Sequence, residues 1–207
     1  RWSHQIKTPI AALRLLLEEE EPDRAAMEGE IYRIEQYVEF ALQYQRLEGG
    51  HKDLVFAHYS LESIVKKALK KTGVLFRQTK LALELGNLQT DVLTDEKWLV
   101  FVLEQVLTNA VKYTRKGKIS IYLDPEKEKT LVVEDTGMGI RPEDLPRIFE
   151  WGYTGYNGRI KNRATGIGLA LCRQTMEMLG HRISAKSDPG KGTCIYLDLA
   201  VDPVRDY

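Results

Sequence analysis

The chain has 207 residues, 43% of them hydrophobic and 29% charged, and its 30 basic and 30 acidic side chains give a formal net charge of zero. This composition excludes a disordered chain, a collagen-like chain and a disulfide scaffold, and the length fits one large domain or two small ones. The lack of a basic surplus argues against bulk nucleic-acid binding.

The cysteines and the start of the chain narrow the class of protein further. Cys172 and Cys194 lack the spacing of zinc ligands, so we interpret them as reduced thiols in core positions. No apolar run reaches the roughly 18 residues that cross a bilayer. No signal peptide opens the chain, and residue 1 is Arg rather than Met. We therefore expect a fragment of a longer protein.

Residues 1–48 differ in charge and in pattern from the rest of the chain. They hold six basic and ten acidic residues, a net charge of −4, whereas residues 49–207 carry +4. This difference predicts two units with different partners. Apolar residues at spacings of three and four predict two helices. Pro22 ends the first helix, and Asp23 is the expected N-cap of the second. The stripes are Ile6, Ile10, Leu13 and Leu17 on the first helix and Met27, Ile31, Ile34, Val38 and Ala41 on the second.

The short connection makes these helices antiparallel neighbours. One apolar stripe on each cannot enclose a core, which predicts pairing with a second copy in a dimeric four-helix bundle. Gly49, Gly50 and His51 then read as a linker to a mixed α/β domain. In that domain the patterns predict helices over 60–71, 95–112 and 168–179, and strands over 80–85, 117–123, 129–135, 182–187 and 193–200.

One helix of this domain carries two amides on a single face. Gln105 and Asn109 lie four residues apart, and neutral amide oxygens can ligate a hard cation such as Mg²⁺. Lys112, one turn further on, could reach phosphate. An ordinary polar helix face explains the same residues equally well.

Three glycine-containing turns complete the set of candidate sites. Asp135 ends a strand, where its carboxylate can accept a hydrogen bond from an exocyclic amine, and Gly137 and Gly139 let a flat base approach the backbone. Residues 165–168 (TGIG) precede a helix, whose N-terminus can bind an anion. Residues 190–193 (GKGT) precede the last strand. Each of these, taken alone, also fits a simple turn.

Together and in this order the motifs resemble the histidine kinase family, the sensor half of bacterial two-component systems. The matching segments are SHQIKTPI (3–10), EQVLTNAVKYT (104–114), DTGMGI (135–140), RIFEWGYTG (147–155), TGIGLAL (165–171) and GKGT (190–193). The resemblance implies an α+β fold: a dimerisation and phosphotransfer hairpin (1–48), a linker (49–57) and an ATP-binding two-layer α/β sandwich of the gyrase type (58–207).

The resemblance also implies an activity and the residues that perform it. His4 is phosphorylated from ATP and Mg²⁺, and the phosphoryl group passes to an aspartate of a response regulator. Gln5 and Thr8 lie beside the phosphorylated histidine, and Thr8 supports dephosphorylation of the regulator. The implied metal ligands are Asn109 and Gln105, and the implied nucleotide contacts are Asn109, Lys112, Tyr113, Asp135, Gly137, Gly139, Thr165, Gly166, Gly168 and Leu169.

The chemistry of His4 fits this role. It lies off the apolar stripe, and a neutral imidazole with a pKa of about 6.5 is a good nucleophile. Positioning and charge neutralisation dominate phosphoryl transfer, and Lys112 and the basic segment 159–163 can supply the charge. Pro9 removes a helical donor just past His4, and it is either a hinge between the domains or a simple kink.

Three positions depart from the family pattern. Gln5 replaces the usual acid and is no base near neutral pH, so we expect slow autophosphorylation. Gln105 replaces Asn, which weakens its assignment as a metal ligand. Ala164 replaces a glycine, which would stiffen the lid over the nucleotide.

Two other functions stay open: a sensor biased towards phosphatase activity, and a non-catalytic nucleotide-binding dimer scaffold. The stretch 153–159 together with HQIKTP resembles the subgroup that responds to peptide antibiotics such as bacitracin. That resemblance implies a homodimeric, cytoplasmic part of a membrane sensor with a membrane transporter as a further partner. The balanced charge predicts no nucleic-acid partner.

Overall fold

A computed structural model of the chain describes residues 2–19, 21, 23–48, 54–156 and 165–200. Helices α1 (Trp2–Leu17) and α2 (Arg24–Glu48) pack against each other. The Asp23 carboxylate accepts a hydrogen bond from the Ala26 N–H at 3.1 Å, as an N-cap does. Helix α1 continues through Pro9. Much of the predicted apolar stripe is exposed in the single chain, including Ile10, Leu17, Ile31 and Val38.

The remaining elements form a mixed α/β domain with one five-stranded sheet. Its strand order is β2–β4–β5–β7–β6; β2 and β4 are parallel, and the other neighbours are antiparallel. Strands β1 and β3 form a separate antiparallel pair. The elements are β1 (Ala57–Ser60), α3 (Leu61–Gln78), β2 (Ala82–Leu85), β3 (Asp91–Thr94), α4 (Glu96–Tyr113), β4 (Lys118–Leu123), β5 (Thr130–Asp135), a 3-10 helix (Leu145–Arg147), α5 (Gly168–Met178), β6 (Arg182–Asp188) and β7 (Gly192–Asp198).

The core of this domain lies between one face of the sheet and the helices. Alternate strand residues such as Ile121, Val133 and Leu197 are buried there, in one cluster with Leu103 of α4 and Leu171 of α5. The intervening strand residues form the opposite face. In the described part of the chain, no helix is long and apolar enough to cross a membrane.

The structure corrects three predictions. Strands β1 and β3 were not predicted, because four residues each are too few to show an alternation. Helix α3 extends to Gln78 rather than to Lys71, since Thr72 is buried and its hydroxyl donates to the Ala68 carbonyl, which continues the packed face. Cys172 is buried as predicted, but Cys194 is only half-buried, because it lies on the outer face of β7.

Candidate functional site

Helix α4 carries the two amides on a half-exposed face. Its N-terminus is capped by Asp95, whose Oδ1 accepts hydrogen bonds from the Lys97 and Trp98 N–H groups. Gln105 and Asn109 are partly exposed, one turn apart near the other end of the helix. The adjacent Glu104 points elsewhere, since it pairs with a lysine of α3.

The turn after β5 is fixed to the C-terminal end of α4. The Asp135 Oδ1 accepts hydrogen bonds from the Gly137 N–H at 2.8 Å and from the Thr114 hydroxyl at 3.4 Å. The Met138 N–H donates to the Tyr113 carbonyl at 3.3 Å. A Cβ at Gly137 would lie 2.6 Å from that carbonyl oxygen, so only glycine fits. These contacts bring the amide-bearing helix and the Asp135 turn together.

Burial governs the chemistry of Asp135. The residue is 8% exposed, and desolvation raises the pKa of its carboxyl above the usual range, although hydrogen bonds from Gly137, Thr114 and the Thr193 backbone oppose this rise. Two of these three donors, Gly137 and Thr114, bind Oδ1, so a ligand amine would donate its hydrogen bond to Oδ2. A buried carboxylate of this kind strongly favours a matching donor over a second acceptor.

The turn between β6 and β7 closes over the Asp135 turn. The Gly190 N–H donates to the Met138 carbonyl, and the Ser187 hydroxyl accepts from the Ile140 N–H, both at 2.8 Å. Gly192 has φ +122°, and a Cβ there would lie 1.9 Å from the Asp135 carbonyl oxygen. Glycine is therefore required where the GKGT segment crosses the end of β5.

The TGIG turn leads into α5 beside the amide face of α4. The Thr165 hydroxyl accepts from the N–H of Ile167, which is fully buried and anchors the turn. A Cβ at Gly168 would lie 3.2 Å from Gln105 Oε1 and 3.7 Å from Cζ of Phe40 on α2. Within the described residues, no side chain caps α5, so its first N–H groups are available as donors to an anion.

The other predicted site residues are placed as follows. Thr8 is exposed on α1, and Lys112 Nζ lies 5.2 Å from the centroid of the Tyr113 ring. Burial raises the pKa of the Tyr113 hydroxyl. Leu169 is half-buried on α5. The backbone of His4 and Gln5 lies in α1, but their side chains lie outside the described residues, as do Arg159, Lys161, Arg163 and Ala164.

Two contributors were not predicted. Thr114 was part of a matching motif, but the geometry alone shows that its hydroxyl binds Asp135. Phe40 is 3% exposed and packs into the core of the α/β domain. The spacing of Tyr37, Phe40 and Tyr44 gives α2 a second, aromatic face, and this signal was available in the sequence.

The donor set near α4 bears on the proposed metal. Among the described residues there is no group of three or more His, Cys, Asp or Glu side chains that could hold a metal ion. The amides of Asn109 and Gln105 offer neutral oxygens of the kind that Mg²⁺ accepts alongside phosphate oxygens. The residues present therefore fit an ion that is bound together with a phosphate ligand, rather than a protein-only cage.

Comparison with known proteins adds three findings to this geometry. Residues 94–203 match the family model described as histidine kinase-, DNA gyrase B- and HSP90-like ATPase. The sensor protein BceS of Halalkalibacterium halodurans is 38% identical over 199 residues, which are 95% of this chain and 60% of that protein. The chain thus spans less than two thirds of the length of this curated relative.

Solved structures share the fold. The Acinetobacter baumannii histidine kinase AdeS superposes with a TM-score of 0.69 at 24% identity, covering 95% of this chain and 98% of that one. Histidine kinase ThkA, in a complex with the response regulator protein TrrA, superposes with a TM-score of 0.71 at 21% identity, covering 99% of this chain and 61% of that one.

Proposed function

Because the chain belongs to the family of histidine kinase-, DNA gyrase B- and HSP90-like ATPases, we propose that it is the catalytic core of a sensor histidine kinase. It phosphorylates His4 from ATP and passes the phosphoryl group to an aspartate of a response regulator. The similarity to BceS supports the sensor kinase assignment, and the complex of ThkA with TrrA supports the class of partner. In this proposal residues 1–48 form the phosphotransfer hairpin, 49–57 the linker and 58–207 the ATP domain.

The observation that carries this proposal is the contact of the TGIG turn with the hairpin. Gly168, the first residue of α5, lies beside Phe40 of α2. His4 is thirteen residues before the end of α1, and Tyr37 is thirteen residues after the start of α2. At about 1.5 Å per residue the two positions share one height on antiparallel helices, and Phe40 is only about 4.5 Å further along. The anion site therefore faces the hairpin near the level of the phosphoacceptor.

The proposed chemistry uses the clustered residues in distinct roles. The Asp135 carboxylate accepts a hydrogen bond from the adenine amine, and the backbone N–H groups at the N-terminus of α5 bind the phosphates. The neutral imidazole of His4 attacks the γ-phosphorus, so an N–P bond forms while the bond to the ADP oxygen breaks. Gln5 can accept a hydrogen bond and hold the ring tautomer, but it takes no proton near neutral pH.

Magnesium fits the same cluster. Asn109, with Gln105 as the second candidate, would hold the ion, which supplies charge neutralisation to the phosphates when bound. Lys112 is the cation that the chain itself contributes from the same helix. Its position one turn past Asn109 suits a phosphate contact.

A phosphatase activity towards the regulator is the second candidate. Thr8 is exposed on α1, one turn after His4, where a hydroxyl can orient water towards a phosphorylated partner. The absence of an acid at Gln5 favours this direction over rapid autophosphorylation. The kinase and phosphatase activities both use the hairpin, but the first depends on His4 and the second on Thr8.

We further infer a homodimer through the hairpin. Ile10, Leu17, Ile31 and Val38 expose 37%, 57%, 44% and 45% of their surface in the single chain, and a second copy would cover them in a four-helix bundle. We also propose that the chain is part of a longer membrane-bound sensor of peptide antibiotics with a transporter as a further partner; the similarity to the sensor protein BceS supports the sensor assignment. Sedimentation of the chain against a version extended upstream tests the dimer.

Incubation of the chain with Mg²⁺ and γ-labelled ATP tests the kinase proposal. We expect an acid-labile, alkali-stable label that is lost in His4→Gln and kept in the control His58→Gln, a change of an exposed histidine on β1. Nucleotide binding without label on the wild type would favour a scaffold. An unlabelled chain that strips phosphate from a phosphorylated regulator would favour the phosphatase.

A further inference from the structure

A buried carboxylate lies outside the proposed site residues. Asp144 directly precedes the 3-10 helix and is 7% exposed. Its Oδ1 accepts a hydrogen bond from the Tyr153 hydroxyl, and its Oδ2 accepts one from the Tyr156 N–H at 3.0 Å. A buried carboxylate is costly unless its oxygens are satisfied, so these two donors tie the segment 153–156 to Asp144.

The surroundings of this carboxylate are built around it. Gly155 has φ +56°, and a Cβ there would lie 3.2 Å from Asp144 Oδ2, so the backbone packs directly on the carboxylate. The Arg147 guanidinium lies 4.2 Å from the Tyr153 ring centroid, and the Arg141 guanidinium lies 3.4 Å from that of Tyr156. Two cations thus stack on the rings of the two tyrosines whose hydroxyl and backbone N–H bind the buried carboxylate.

The residue that precedes this segment binds the TGIG turn. The Gly152 N–H, one residue before Tyr153, donates to the Gly166 carbonyl at 2.8 Å. Gly166 has φ +69°, and a Cβ there would lie 2.5 Å from the Gly152 carbonyl carbon. The backbone of the turn therefore rests on the segment that Asp144 fixes, and little slack remains between them.

We propose that Asp144 is a positioning residue for phosphate binding by the TGIG turn. Asp144 acts through Tyr153 and Gly152 on Gly166. This role depends on the proposed ATP site. The Asp135 turn is held independently, by α4 and by the β6–β7 turn. Loss of the Asp144 contacts should therefore weaken the recognition of the distal phosphates while the recognition of the adenosine part persists.

Two substitutions with one control test this role. Asp144→Asn keeps the shape but has a single acceptor oxygen, so it serves only one of the two donors. Tyr153→Phe removes the hydroxyl donor alone. Glu143→Gln makes the same chemical change at the exposed neighbouring carboxylate and is the matched control. The readout is the dissociation constant of ATP and of AMP for the 207-residue chain, measured by titration calorimetry.

For both Asp144→Asn and Tyr153→Phe we expect the affinity for ATP to fall by at least about tenfold, the value of one charge-assisted hydrogen bond, with AMP changed less than about twofold. The double variant should lose less than the product of the single effects, because both changes act on one contact. Glu143→Gln should bind like the wild type.

Other outcomes overturn the proposal. A parallel loss of ATP and AMP in both variants means that Asp144 only supports the fold. Unchanged ATP binding in both means that the turn does not depend on this contact. A wild-type chain that binds neither nucleotide refutes the ATP site itself, which separates that failure from a failure of the role of Asp144.

Discussion

Replacing Asp135 by Asn separates the effect of this residue on folding from its proposed role in recognising the adenine base. The Asp135 Oδ1 already accepts the Gly137 N–H at 2.8 Å and the Thr114 hydroxyl. An amide has one acceptor oxygen, so Asn at this position either keeps Gly137 and presents an NH₂ group to the ligand, or the reverse. If an adenine amine binds here, the amide NH₂ of the variant and the adenine amine are both donors, and no hydrogen bond forms between them.

The magnitude follows from the charge on the acceptor. A hydrogen bond to a charged group contributes about 1.5–3 kcal/mol, which corresponds to roughly a 10- to 150-fold loss of affinity. Inosine triphosphate carries a carbonyl where ATP carries the amine, so the wild type should prefer ATP, and Asp135→Asn should abolish that preference. The matched control is Glu134→Gln, one residue earlier on the outer face, where the carboxylate accepts from the Tyr122 hydroxyl instead.

In the absence of ligand, Asp135→Asn should stabilise the fold, although it weakens the binding of ATP. Burial raises the folded-state pKa of Asp135, so the folded chain binds its proton more tightly than the unfolded chain does. The ionised group then lowers stability once the pH rises above the unfolded pKa of about 3.9. Asp135→Asn should raise the melting temperature at pH 7 and not at pH 3. A retained preference for ATP over inosine triphosphate would refute the contact with the base.

Three further predictions use other parts of the chain. Gln5→Glu should speed autophosphorylation, because the acid can take a proton from the ring; no change or a loss in the initial rate would contradict this. Burial lowers the pKa of His181 to about 4, so the unfolded chain alone gains a proton between about pH 6.5 and 4, and about 3 kcal/mol of stability should be lost as the pH falls through this window. His181→Gln should flatten that dependence in denaturant titrations, whereas His58→Gln should not. Phe40→Ala should cost about 3 kcal/mol of unfolding free energy, against at most about 0.5 for Val74→Ala, a change of an exposed apolar residue on α3, outside the hairpin.

The sequence predicted most of what short-range patterns encode. The long helices and the strands of the five-stranded sheet followed from periodicity, and the turns followed from glycines whose positive φ the structure shows, such as Gly139 and Gly166. The resemblance to sensor histidine kinases is confirmed by the match over residues 94–203 and by the similarity to BceS. Glycine motifs were informative because a Cβ at those positions meets backbone atoms.

Contacts between distant segments could not be predicted in the same way. Asp144 looked like one acid in a polar stretch, since its donors lie nine and twelve residues later in a segment without periodicity. Thr114 and Asp135 are 21 residues apart, and only the packing of β5 against α4 brings them together. The separate signs of charge predicted two units, but charge does not specify which side chains join them.

Helix α2, which has 25 residues, presents different faces to the two units. Its apolar stripe and its aromatic face differ in direction: at 3.6 residues per turn, Phe40 lies about 160° around the helix from Val38. Val38 is 45% exposed, whereas Phe40 is 3% exposed against the α/β domain, and Tyr44 meets Trp151 edge to face at 5.4 Å. The exposed stripe is available to a second copy while the aromatic face holds the chain's own nucleotide domain. If the proposed homodimer forms through this stripe, substitution of Val38 should weaken dimerisation, and substitution of Phe40 should instead weaken the packing of α2 on the α/β domain.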